Sequence, residues 1–194
     1  MRIVQQISHL ITMRINTRIL AGTATLAALT VVLDYAWKYS YLKIQFPLLP
    51  YMKFDFTGIP IVLATLLFGF IPGAVTSLVA TVAIVARSGD VVGSSMKGLA
   101  EFSTILGITV GLKLFRKFRK PVSSLLGVAS RVLVMMAANL MAIFVGILSL
   151  RESLIVVTLL TGVFNVIQGA LSVYGGFVIY EAIRRRAPHI SNTE

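Results

Sequence analysis

The segment that decides the fold is PLLPYMKFDFTGIPIVL, residues 47–63. Its first part is polar, aromatic and bracketed by prolines, and it leads directly into the apolar start of a helix. Asp55 and Thr57 are good N-cap candidates, and Pro60 suits a first helical turn because its missing N–H is not needed there. The segment joins the first two of several predicted membrane spans, so it predicts an ordered lid over a site inside a membrane protein.

The composition is that of a membrane protein. Hydrophobic residues make up 57% of the chain and charged residues 13%, whereas soluble domains carry about 25% charged residues. Cysteine is absent, which excludes a disulfide framework, a thiol nucleophile and a cysteine-based metal site. The net charge of +11 could indicate nucleic-acid binding, but the basic residues flank apolar runs. That pattern is typical of membrane orientation, and no nucleic-acid partner is expected.

Six apolar segments predict an all-α fold, an integral membrane bundle of six transmembrane helices that forms a single domain over residues 1–194. A span needs about 20 apolar residues, and the predicted spans are 18–38, 58–70, 71–87, 95–114, 122–149 and 154–183. Glycine and proline at 69–73 predict a tight turn rather than a kinked helix, and residues 87–90 predict a loop. An amphipathic segment is predicted at 3–15, on the inner membrane face.

The distribution of basic residues predicts the orientation. Eleven Lys and Arg residues fall on one side of the predicted spans, six on the other and Arg131 within the fifth, which accounts for all 18. The positive-inside rule then places both termini in the cytoplasm and the 39–56 loop outside the cell. A cleaved signal peptide is disfavoured because the first apolar run exceeds the 7–15 residues of a signal sequence.

Polar side chains at membrane depth are candidates for function. Lys97 and Glu101 are four residues apart near the outer end of the fourth span, so an internal ion pair and a ligand-binding role both stay open. Arg131 is expected to reach the inner interface by snorkelling, and Asn139 lies about two turns further out. Asn165 and Gln168 share a face of the sixth span.

Asn139, Asn165 and Gln168 together predict a shared polar pocket in the outer half of the bundle. Amide side chains offer paired donors and acceptors, which suit the imide and ring-nitrogen edge of a flat heterocycle. The alternative for each amide is a hydrogen bond between helices.

The absence of catalytic motifs disfavours an enzyme. The chain has no phosphate-binding G-x-x-x-x-G-K-[ST], H-E-x-x-H or G-x-S-x-G motif, and His9 and His189 lie near the termini. No ATP hydrolysis by this chain, metal site or cofactor is expected. Ala24 and Ala28 form a small-x-x-x-small pair, which indicates either close packing within the chain or a surface for a membrane partner.

Four motifs give the chain a resemblance to a known family. They are Met52-Lys53-Phe54-Asp55-Phe56-Thr57-Gly58-Ile59-Pro60, Arg131-x-x-x-Met135-x-x-x-Asn139, Phe164-Asn165-x-x-Gln168-Gly169 and Ala24-x-x-x-Ala28. Over residues 18–183 the chain resembles the substrate-binding S components of energy-coupling factor (ECF) vitamin transporters, and it is most similar to the riboflavin-specific branch. That branch has Lys-Phe-Asp-Phe-Ser-Asp-Ile-Pro and Phe-Asn-x-x-Lys-Gly, so Gly58 and Gln168 depart from it.

The resemblance implies a multi-pass protein of the cell membrane that captures riboflavin from outside. A transmembrane T component and two ABC ATPases would supply the energy. The amides would hold the isoalloxazine edge, and the 41–56 loop with Tyr41, Phe46, Tyr51 and Phe54 would close over the ligand. The candidate ligand-binding residues are Asn139, Asn165, Gln168, Lys97, Glu101, Phe54 and Tyr51, and the candidate partner-binding residues are Ala24 and Ala28.

Three alternatives remain open from the sequence. The first is another S-component ligand such as thiamine, another vitamin or a purine-like compound. The second is a small intramembrane acyl- or phosphotransferase that uses Lys97, Glu101, Arg131 and the basic 113–120 loop. The third is a membrane scaffold without a ligand.

Overall fold

The computed structural model describes residues 17–40, 44–114, 118–146 and 154–186 of the chain. The predicted amphipathic segment 3–15, Tyr41 and both histidines lie outside these residues. The described part holds six helices and one two-stranded sheet: α1 (Thr17–Tyr39), β1 (Ile44–Phe46), β2 (Leu49–Phe54), α2 (Gly58–Phe68), α3 (Phe70–Ser88), α4 (Val91–Leu114), α5 (Arg119–Phe144) and α6 (Leu154–Arg186). The prediction of a mostly helical chain is confirmed.

An antiparallel β-hairpin corrects the all-α prediction. β1 and β2 pair Ile44 with Phe54 and Gln45 with Lys53, and the register shifts between Gln45 and Phe46. The alternation of the strands buries Phe46 and Leu49 against the bundle. An isolated hairpin is marginal in water, so this one depends on packing against the helices, which the short and proline-containing sequence does not reveal.

Four helices of the described part are long and apolar enough to cross a membrane: α1, α3, α5 and α6. Helix α2 has 11 residues, which at 1.5 Å per residue gives about 16 Å. The hydrocarbon core of a bilayer is about 30 Å thick. Helix α2 therefore covers about half of that depth, and the hairpin adjoins its N-terminal end.

The turn predicted between the second and third segments is present at Gly69, whose φ of +96° favours glycine. Helix α3 then packs back along α2, with Gly73 against Thr65 and Ala80 beside Ile61. The prediction of a tight turn rather than a kinked helix is confirmed.

The loop predicted at 87–90 is shorter than expected. Arg87 and Ser88 belong to α3, and only Gly89 and Asp90 link α3 to α4. Gly89 takes the left-handed conformation and donates its N–H to the carbonyl of Val85, which closes the last turn of α3.

Helix α2 lies at the centre of the bundle and contacts α1, α3, α4 and α6. Its residues Ile61, Val62 and Ala64 are at most 1% exposed, because the helix is apolar on every face. Helices α4, α5 and α6 pack in sequence along one side. Since α2 is short, a space remains beyond its N-terminus, between the hairpin and the parts of the longer helices that extend past α2.

Candidate ligand-binding cavity

A cavity of about 590 Å³ occupies that space. Residues of β2 and of helices α1, α3, α4, α5 and α6 line it, and its volume is within the range of about 300–1,000 Å³ that is usual for small-molecule sites. Six of the seven predicted ligand-binding residues lie on its wall: Tyr51, Lys97, Glu101, Asn139, Asn165 and Gln168.

Arg131 forms the polar centre at the inner end of the cavity. Its Nη1 donates to Glu101 Oε1 at 2.9 Å and to Thr104 Oγ1 at 3.3 Å, and its Nε donates to Asn165 Oδ1 at 3.1 Å. The side chain is only 3% exposed. The prediction that Arg131 snorkels to the inner interface is therefore wrong, because a buried carboxylate and two further acceptors from α4 and α6 hold the guanidinium inside.

Lys97 and Glu101 do not pair with each other, so the internal ion pair considered from the sequence is also wrong. Glu101 pairs with Arg131, whereas Lys97 lies one turn nearer the hairpin and binds Asp55 Oδ2. Lys97 Nζ also lies 3.9 Å from Asp34 Oδ1. Lys97 and Glu101 thus each pair with an oppositely charged residue from another part of the bundle, not with each other.

Asp34 on α1 is a site residue that the sequence analysis missed. It is 2% exposed and its Oδ2 accepts a hydrogen bond from Arg87 Nε at 2.7 Å. A row of side chains with alternating charge therefore runs from Arg87 on α3 through Asp34 and Lys97 to Asp55 beside the hairpin. An acidic residue inside the first apolar span is the signal that could have identified it.

The two asparagines face the cavity with different hydrogen-bonding capacity. Asn165 Nδ2 donates to the Thr161 carbonyl at 2.9 Å, and its Oδ1 is taken by Arg131. Asn139 Nδ2 donates to Thr161 Oγ1 at 2.9 Å, while its Oδ1 accepts no hydrogen bond from the described residues. Arg131 Nη2 has no acceptor there either, and buried Glu101 Oε2 has no donor.

Gln168 bonds to the backbone where the hairpin meets α2. Its Nε2 donates to the Asp55 carbonyl at 2.7 Å, and its Oε1 accepts from the Asp55 N–H at 3.3 Å. The carboxylate of Asp55 accepts from the N–H and the hydroxyl of Thr57 at 3.1 and 2.6 Å.

Of the capping predictions, the positions of Thr57 and Pro60 are correct, and Asp55 as an N-cap residue is wrong. Thr57 occupies the N-cap position of α2, yet its side chain bonds to Asp55 and makes no capping hydrogen bond. Asp55 precedes the N-cap by two residues and stabilises the turn instead. Pro60 lies in the first turn of α2, as predicted.

The aromatic side chains of the hairpin divide between two roles. Phe54 does not line the cavity; its ring lies 4.7 Å from that of Phe164 and 5.9 Å from that of Phe46. Phe164 lines the cavity, so Phe54 supports the wall from behind. Tyr51 is 59% exposed and stands at the cavity mouth.

Ala24 and Ala28 lie on the exposed face of α1. The buried face of that helix carries Thr23, Leu26, Ala27 and Thr30 instead. The small-residue pair therefore does not pack within the described bundle, and it leaves a smooth strip on the outer surface of α1.

Comparison with known proteins agrees with this architecture. No protein-family model and no curated protein sequence matches the chain. Among solved structures, the S component of a bacterial ECF transporter matches with a TM-score of 0.69 and 25% sequence identity, over 88% of this chain and 97% of that chain. The chain shares the fold of an ECF-transporter S component.

Proposed function

We propose that this chain is the substrate-binding S component of an ECF-type ABC importer, that it captures riboflavin from the extracellular side, and that it is not itself an enzyme. A T component and two ABC ATPases would provide the energy for uptake across the cell membrane. The similarity to a solved S component over nearly the whole of both chains supports the class of protein. The cavity beneath the hairpin supports a small-molecule ligand.

The observation that carries the ligand assignment is the set of hydrogen-bonding groups that remain available on the cavity wall. Arg131 Nη2 is a donor and Asn139 Oδ1 is an acceptor, and neither has a protein partner in the described part. The imide edge of an isoalloxazine presents a carbonyl, an N–H and a second carbonyl, and it needs both kinds of partner. Phe164 and Met135 add apolar surface for the ring faces.

The outer part of the cavity suits the hydroxylated tail of riboflavin. Asp34, Asp55 and Lys97 line it beneath Tyr51 and Lys53 of the hairpin. Charged groups form strong hydrogen bonds with hydroxyls, and the mouth would keep such a tail partly hydrated. The ring would then occupy the inner end near Arg131.

We propose six membrane passes with both termini in the cytoplasm. The cavity lies at the end of the bundle where α1 and α3 finish and α4 begins. Arg18, Lys113, Arg119, Lys120 and the 184–186 arginines lie at the ends of the helices away from it. The positive-inside rule then directs the cavity outwards.

Docking on the T component is assigned to the exposed strip of α1 at Ala24 and Ala28. Without larger side chains in the way, the backbone of a partner helix can approach this strip closely. The strip faces away from the buried side of α1, so the same helix can contribute Asp34 to the cavity wall and its alanines to the partner surface.

Quenching of riboflavin fluorescence by the detergent-purified protein tests the assignment. Asn165→Leu removes the acceptor that orients Arg131, and a buried hydrogen bond left unmatched costs about 1–3 kcal/mol, or roughly 5–150-fold in affinity. We expect Asn165→Leu to bind riboflavin at least about tenfold more weakly than the parent. Gln45→Leu on the exposed hairpin strand should leave the affinity unchanged.

Two results would contradict the proposal. If the parent protein leaves riboflavin fluorescence unchanged at micromolar concentration, the flavin assignment is wrong. If the parent binds riboflavin and Asn165→Leu binds equally well, the ligand occupies another site and Asn165 only joins helices.

A further inference from the structure

Among the residues that the structure describes, both apolar and polar contacts attach the hairpin to the helices that it covers. Phe46, Leu49 and Phe54 pack on Phe164 of α6, and the polar attachments lie at Asp55. The apolar contacts have no direction of their own, so the position of the hairpin over the cavity depends on the hydrogen bonds at Asp55.

Gln168 makes two of those hydrogen bonds, and they have the pattern of a β-bridge. Its amide N–H donates to the Asp55 carbonyl, while its amide oxygen accepts from the Asp55 N–H. A side-chain amide thus replaces the peptide group that a neighbouring strand would offer. Gln168 is 3% exposed and Asp55 6%, so water does not compete readily for these bonds.

A second helix holds the same residue by its side chain. Lys97 on α4 binds the Asp55 carboxylate, so α6 fixes the backbone of Asp55 and α4 fixes its side chain. The junction between the hairpin and α2 is therefore held on two sides of the cavity.

We infer that Gln168 is a positioning residue, a side-chain clamp that holds the hairpin closed over the cavity, rather than a residue that contacts the ligand. The consequence for ligand retention rests on the proposed function, but the clamp itself does not. The two hydrogen bonds to Asp55 leave one amide N–H and one oxygen lone pair of Gln168 unused. They also fix the direction in which these two groups point.

The experiment measures the distance between the hairpin and α4 in the absence of any ligand. The chain has no native cysteine, so nitroxide labels at Leu48→Cys in the hairpin turn and Val91→Cys at the start of α4 report one distance. Both positions are exposed, at 58% and 60%. The distance distribution is recorded by double electron–electron resonance with the full chain in lipid nanodiscs.

Three substitutions of Gln168 separate the contributions of its two hydrogen bonds to Asp55. Gln168→Met removes both hydrogen bonds, Gln168→Glu keeps only the acceptor and Gln168→Lys keeps only the donor. We expect one narrow distance in the parent, a broad distribution in Gln168→Met and intermediate widths in the other two. Gln45→Met makes the same exchange on the exposed face of β1 and should leave the distance narrow.

Riboflavin release from the same variants provides the second readout. Loss of the clamp should raise the dissociation rate at least about fivefold while the association rate changes little. A parental distance distribution in Gln168→Met would overturn the inference, and weak riboflavin binding in that case would mean that Gln168 contacts the ligand directly. If Gln168→Met does not fold, parental distances in both single-bond variants overturn it.

These two readouts separate the clamp from the proposed function. If the parent does not bind riboflavin, the proposed function fails, and the label distances still decide whether Gln168 positions the hairpin.

Discussion

Replacing Arg131 by methionine should destabilise the bundle strongly. The change leaves Glu101 buried without its cation and removes the donors to Thr104 and Asn165. At the observed 2.9 Å between Nη1 and Oε1, the gross attraction is about 6 kcal/mol for an effective dielectric constant of 20. Breaking a buried pair by removing one partner costs about 3–5 kcal/mol, which for a chain of this size lowers the melting temperature by about 6–20 °C.

A double-mutant cycle separates the ion pair from simple packing. Glu101→Gln leaves Arg131 without its counter-charge and should also destabilise, whereas the double variant leaves no unpaired charge. We therefore expect the double variant to be several degrees more stable than the two single changes would predict together. Thermal unfolding in detergent, followed by the fluorescence of Trp37, is the assay.

The control is an ion pair of the same type near the surface. Lys120 pairs with Glu181, and the two side chains are 53% and 29% exposed. Exposed pairs contribute about 0–1 kcal/mol, so Lys120→Met should have little effect. If Arg131→Met is as mild as Lys120→Met and shows no coupling with Glu101→Gln, Arg131 lies in a hydrated interface and the inner end of the cavity is wrongly described.

Three further predictions address orientation, partner docking and the approach of α2 to its neighbours. Cysteine at Ser88 should react with an impermeant maleimide in intact cells and cysteine at Arg119 should not; both positions are exposed, and the reverse pattern would contradict the outward cavity. Replacing Ala24 and Ala28 by tryptophan should abolish co-purification with a T component and leave riboflavin quenching intact, whereas loss of both would place the pair inside the bundle. Gly58→Ala would bring Cβ to 2.7 Å from a Glu101 carboxylate oxygen and even closer to a serine hydroxyl of α6, so we expect a lower melting temperature than that of the parent, and an unchanged melting temperature would refute the close packing.

The helices were predictable because apolar runs and punctuation by Gly and Pro are local signals. The turn at Gly69 follows from the residues around it, and the helical period places Asn165 and Gln168 on one face. The structure then brings both residues to the same cavity as Asn139 on α5.

The pairings within the site were not predictable from local pattern. Depth in a span does not tell whether Arg131 reaches an interface or a carboxylate, and its partner Glu101 lies 30 residues away on another helix. Gln168 and Asp55 are separated by 113 residues. Spacing of four placed Lys97 and Glu101 on one face but could not show that each faces a different counter-charge.

The hairpin was missed for a related reason. Its strands have three and six residues and contain Pro50, which is a weak strand signal. The packing that stabilises them comes from Phe164 on α6, far away in the sequence. The segment could therefore be predicted as an ordered lid but not as a sheet.

The visible absorption spectrum of the purified protein, with extraction of its bound small molecules, tests the central claim most directly. We predict a flavin spectrum from protein purified after growth with riboflavin, and about one riboflavin per chain in the extract. A colourless protein that yields no flavin and takes none up at micromolar concentration would contradict the account, and a different heterocycle in the extract would refute the riboflavin assignment.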